Sequence, residues 1–187
     1  MSNYVYDQVA KLVRRFHTRD PFELLEAMHV VIRESDQFQS LKGFCFLSCR
    51  TTYVVINDRL SASEKRIVAA HELGHILLHK NQLKLAPMKD SRLYDMTSRT
   101  EYEANLFAAD LLIPDEELQQ ISDHEDLDYF ALCSLLDTSP DLMSFKLFSL
   151  LKRGCSVNMP LSLRSNFLAD PSAASDSCQT DAADAGV

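Results

Sequence analysis

Residues 61–79 constrain this chain more than any other stretch. Ser61-x-x-Glu64 is a capping box that opens a helix. Ile67, Val68, Ala70, Leu73, Leu77 and Leu78 then recur at helical spacing, which predicts an apolar helix reaching about His79. His71 and His75 are set into it. Four residues apart, their imidazoles share one face, a turn apart, and can reach a single ion. On an otherwise buried face they need a partner. Glu72 is turned by about 100° from His71, so its carboxylate stands beside such an ion rather than on it. A base must stand there to take a proton from an attacking water. The stretch His71-Glu72-Leu73-Gly74-His75 is thus an HExxH pattern.

A tetrahedral zinc site with an open position needs a third protein ligand. His79 lies about 12 Å along the helix axis from His71, too far to share one ion, and is expected to pack or hydrogen-bond at the helix end. A second helix, about Arg99 to Leu112 and stopped by Pro114, supplies the alternatives. Glu101 and Asn105 share one face at i and i+4. The pair suits a carboxylate ligand followed by a group that orients a ligating histidine. Glu101 is the expected ligand. Glu103, two residues on, faces elsewhere and is the alternative. Ala104 and Ala108 are small enough to let the two helices approach closely. Zinc is the expected metal, although His/His/Glu with water also suits manganese or iron.

Around these helices the sequence predicts an α+β chain. Val5, Val9, Leu12, Val13 and Phe16 mark an amphipathic helix over 3–17. Asp20-Pro21-Phe22-Glu23 opens a short helix to about Met28. Val30 to Ile32 reads as a strand. Gly43–Cys49 and Thr52–Asn57 read as a hairpin turning at Arg50-Thr51. Residues 80–98 are expected to form a long loop, and 115–121 a short helix. Two last helices cover about 125–136 and 140–153, with Ser139 as N-cap and Gly154 as stop. The expected organisation is a core over 1–121 with its N-terminal helix, a helical pair over 122–160 packed on it, and a disordered acidic tail over 161–187.

Composition removes several classes. No apolar run approaches the ~20 residues of a membrane span, and the N-terminus lacks a signal peptide's apolar stretch, so a cytoplasmic protein is expected. The net charge is −8. Four acids and no base follow Arg164, and the rest of the chain is still at −4. Such a chain lacks the basic face that displaces phosphate counterions. The last two helices have a helix-turn-helix outline, but residues 123–153 hold six acids against three bases, which argues against groove binding. The five cysteines (Cys45, Cys49, Cys133, Cys155, Cys178) match no zinc or redox spacing and read as reduced.

Two stretches together resemble the ImmA/IrrE family of bacterial metallopeptidases. One is Ala70-His71-Glu72-Leu73-Gly74-His75-Ile76-Leu77-Leu78-His79. The other runs Glu101-Tyr102-Glu103-Ala104-Asn105-Leu106-Phe107-Ala108-Ala109-Asp110-Leu111-Leu112-Ile113-Pro114. The resemblance covers roughly residues 20–155. It implies a minimal gluzincin-like core, a small antiparallel sheet packed on the HExxH helix and a glutamate-bearing helix, with extra C-terminal helices. It implies Zn2+ on His71, His75 and Glu101, with Glu72 as the catalytic base. Gluzincins carry an aspartate four residues after the ligand glutamate; here Asn105, a neutral group, takes that place. The family also implies a protein partner, a helix-turn-helix repressor of a mobile-element or stress-response locus, cleaved to relieve repression.

Two functions are open on these grounds. One is a zinc endopeptidase specific for a repressor; the other is a non-catalytic anti-repressor that sequesters it. Glu72 favours the first, because a pure binder has no use for a base there. Tyr94, Tyr102 and His124 are candidates for stabilising the oxyanion. The substrate is expected to add as an extra strand against the edge of the sheet near Thr52–Asn57.

Overall fold

Local signals set most element boundaries in the structure, a computed structural model that describes residues 3–83, 98–124 and 128–155, without the side chains of 3 and 122–124. Helix α1 spans Asn3–Phe16 and α2 spans Pro21–Ala27, where Asp20 accepts from the amides of Phe22 and Glu23. Strands β1 (Val31–Ser35), β2 (Gly43–Ser48) and β3 (Thr51–Asn57) form one sheet. Helix α3 spans Ala62–Leu78 behind the expected capping box, with His79 as its C-cap. Helices α4 (Lys80–Leu83), α5 (Arg99–Leu112), α6 (Asp115–His124), α7 (Tyr129–Leu135) and α8 (Pro140–Lys152) complete it. Ser139 caps α8, and Gly154 adopts φ 77°, as its role as a stop requires.

The expected loop over 80–98 begins instead with α4, one further turn after His79. The rest of that loop, with Tyr94, lies outside the described residues, as do residues 125–127, the side chain of His124, and the acidic tail with Cys178; the helix expected from about 125 begins instead at Tyr129, where Asp128 is the N-cap and accepts from the Ala131 amide.

The sheet departs from the all-antiparallel expectation. The hairpin pairs antiparallel from Gly43↔Ile56 to Ser48↔Thr51. Its turn is Cys49-Arg50, one residue earlier than expected, with φ of 48° and 67°. Positive φ at both turn residues matches the twist of the flanking strands. Strand β1 runs parallel to β3, from Val31↔Tyr53 to Ser35↔Asn57, giving the order β1-β3-β2. The chain leaves β1, crosses to the far side for β2, and returns between them. Tyr53–Asn57 therefore has a neighbour on both sides and cannot accept a substrate strand. The edge beside the hairpin is β2.

Helix α3 lies between the sheet and α5. Strand β2 passes so close over α3 that a Cβ on Gly43 would meet Val68 Cγ1 at 2.5 Å. On the other side α3 packs along α5, which is itself covered by α1 and α8. Val68, Leu73, Phe107 and Leu111 of these two helices are fully buried, and each such side chain contributes about 1.5–3 kcal/mol relative to exposure.

Of the apolar residues on the last two helices, Leu132, Leu142 and Phe145 are buried, whereas Leu135, Phe148 and Leu151 are exposed. Two of the three bases there are committed to ion pairs. Lys146 is buried against Asp110 and Asp115, and Arg153 pairs with Asp115. None of the described helices is long and apolar enough to cross a membrane.

Candidate metal centre

Ser98 caps α5 and accepts from the amide of Glu101, which fixes Glu101 in the first turn of that helix. From there its carboxylate reaches across to α3. Glu101 Oε2 lies 3.1 Å from His71 Nε2, and Glu101 Oε1 lies 3.3 Å from His75 Nε2. The two Nε2 atoms are 3.0 Å apart, with the rings nearly perpendicular. All three residues are buried. Ligands on a tetrahedral zinc stand about 3.3–3.6 Å from one another at bond lengths of about 2.0–2.2 Å. The observed separations are close to that, and His71, His75 and Glu101 form the one group of potential metal donors among the described residues.

The protonation pattern fits a cation. His71 Nδ1 lies 3.0 Å from Asn105 Oδ1, so Nδ1 carries the proton and donates, leaving the Nε2 lone pair facing His75 and Glu101. Burial pulls His75 down to about 4, so its ring is neutral at pH 7. Two imidazole lone pairs and a carboxylate held this close, out of water, repel one another unless a cation lies between them.

Glu72 sits beside this group. It is buried, and its Oε2 has no hydrogen-bond partner among the described residues. Burial pushes its carboxyl up to about 7, opposed by a hydrogen bond from the Cys45 thiol. Burial also raises the Cys45 thiol, and the neighbouring Glu72 adds to this. Cys133 is buried too, as a reduced core residue would be, whereas Cys49 and Cys155 are exposed; Cys45 is the one that reaches Glu72. Its contact with Glu72 comes from β2 crossing α3, which no local pattern reveals.

Tyr102 departs from expectation, whereas Glu103 and His79 follow it. Tyr102 points to the opposite side of α5, where its hydroxyl accepts from Lys152 and its ring meets Phe145 and Phe148. One residue beyond Glu101 is about 100° around the helix, so it cannot share Glu101's face. Glu103 stays off the three-donor cluster, as expected, and instead takes His79 Nε2 at 3.1 Å and Arg99 Nε at 2.7 Å. His79 does hydrogen-bond at the helix end, and its second partner is His75: the two Nδ1 atoms are 3.1 Å apart. The spacing His75-x-x-x-His79 was the available signal for that contact.

Residues 25–145 match the Peptidase M78 family, described as the IrrE N-terminal-like domain. The chain is 32% identical over 117 residues to "Uncharacterized immunity region protein 2" of Bacillus phage phi105, covering 63% of this chain and 73% of that one. It is 24% identical over 119 residues to "Metallopeptidase ImmA" of Bacillus subtilis (strain 168), covering 64% and 69%.

Proposed function

This chain belongs to the Peptidase M78 family of IrrE N-terminal-like domains, and from that premise we propose that it is a zinc-dependent endopeptidase acting on a helix-turn-helix repressor. The observation that carries this reading is the convergence of His71, His75 and Glu101 with an unpartnered, buried Glu72 oxygen beside them. His71, His75 and Glu101 would hold the ion, and Asn105 would hold His71 in the ligating tautomer. Once bound, the ion supplies Lewis acidity that polarises the scissile carbonyl and acidifies the attacking water. Glu72 takes the proton of that water and returns it to the leaving amine. Burial, which raises that carboxyl, favours its taking up the proton.

The substrate chain adds along β2. Its outward amides run toward the residue that touches Glu72, because Cys45 lies on the same strand. The words "immunity region" and "Metallopeptidase" in the relatives' names support a proteolytic role in relieving repression. The repressor as target is inferred from the family resemblance.

The test is purified chain incubated with the repressor of its own locus, with and without chelator, alongside Glu72→Gln. Cleavage by the wild type, abolished by chelator, is expected. Glu72→Gln should keep zinc and partner while losing about 100–10,000-fold in rate. If Glu72→Gln still releases the repressed promoter, the protein works by sequestration instead.

A further inference from the structure

We infer that His79 and Glu103 are positioning residues that lock His75 in its metal-ligating tautomer and orientation, forming a relay Glu103–His79–His75 that ends on the ion. The inference rests on the metal-centre reading above.

The hydrogen-bond chain admits one self-consistent assignment. For His75 to offer its Nε2 lone pair, its proton must sit on Nδ1. That atom lies 3.1 Å from His79 Nδ1, which must then accept. His79 therefore carries its own proton on Nε2, and Nε2 lies 3.1 Å from Glu103 Oε2, an obligatory acceptor. Each bond fixes the next, and the carboxylate at the end sets the direction of all of them. Arg99 Nε at 2.7 Å from the other Glu103 oxygen fixes that carboxylate in turn.

The geometry also shows why His79 is not a ligand. It meets His75 on the Nδ1 side, away from the Nε2 edge that faces His71 and Glu101. The two ligating histidines are thus supported unequally. His71 leans on a neutral amide, Asn105, whereas His75 leans on an imidazole backed by a carboxylate. Burial makes this support effective: His75 and His79 are both buried, so water cannot replace a lost partner. Partners of this kind hold the ring and raise its basicity, and their loss typically weakens metal binding 10–100-fold.

The test measures zinc affinity by competition with a chromophoric chelator, and the visible absorption of the Co2+-loaded protein, on the full chain. His79→Phe removes the acceptor and keeps a ring; it is expected to weaken zinc binding by about 10–100-fold and to shift the cobalt bands. His79→Asn restores an acceptor near the Nδ1 position and should recover most of the affinity. Glu103→Ala, at a partly exposed site that tolerates truncation, should lose affinity in the same direction and decides the matter if His79→Phe does not fold. Wild type that binds no zinc overturns the metal-centre reading, and the relay with it. Wild type that binds zinc, with His79→Phe and Glu103→Ala unchanged in affinity and spectrum, overturns the relay alone.

Discussion

Gly74 of α3 faces Ala104 of α5 so closely that a Cβ built on Gly74 would lie 3.2 Å from the Ala104 Cα and 3.2 Å from Phe107 Cβ. The neighbours are backbone and the root of a side chain, so they cannot swing aside. Gly74 lies between the two histidines in sequence, and Ala104 lies between Glu101 and Asn105. This contact therefore sets the distance across which Glu101 reaches the imidazoles. Gly74→Val is expected to push α5 away, costing about 1–3 kcal/mol and a larger share of zinc affinity than of helix content. Chelator competition and circular dichroism measure the two.

The outward amides of β2 are the proposed substrate edge. The amide of Asn57 donates to the carbonyl of Lys42. Antiparallel pairs alternate, so Phe44 and Phe46 bond to β3 while Cys45 and Leu47 turn their amides outward. Leu47→Pro removes one outward donor from an edge strand without breaking the ladder. Repressor cleavage should fall with zinc affinity unchanged; unchanged cleavage would place the substrate elsewhere.

Metal should hold α3 and α5 together. An ion that binds only the folded chain stabilises it by about 2.7 kcal/mol at a hundredfold excess over Kd. For a domain of this size that corresponds to roughly 5–10 °C in Tm. Thermal melts with zinc and with chelator should differ by that amount, and Glu101→Ala should abolish the difference.

The buried cluster joining α5, α6 and α8 should govern acid stability. Lys146 Nζ donates to Asp110 Oδ1 at 3.0 Å and to Asp115, Ser149 donates to Asp110 Oδ2 at 2.7 Å, and Arg153 grips Asp115 at 2.6 and 2.9 Å. Burial alone would raise the Asp115 carboxyl, but hydrogen bonds from Arg153 and Lys146 hold it well below the usual carboxylate range. A depressed carboxyl contributes stability above its unfolded value, about 3.9, and loses it as pH falls through the folded value. Melting temperature should therefore drop steeply below about pH 4, and Asp115→Asn should flatten that limb. Lys146→Met leaves the Asp110 charge buried without its main partner and should cost about 3–5 kcal/mol in denaturant titrations.

What the sequence determined by itself is local. Helical spacing put His71 and His75 on one face and Glu101 and Asn105 on another, and caps at Ser61, Asp20 and Ser139 marked where helices begin. These features act within a turn or two of chain, so periodicity and capping chemistry suffice to read them. Tertiary structure decided what depends on distant segments meeting. It inserted β3 between β1 and β2, because a parallel partner can come from any distance along the chain. It brought Cys45 to Glu72 and Glu103 to His79 across helix packing. It buried Lys146, a residue that composition assigns to the surface, because two aspartates from other helices met it there.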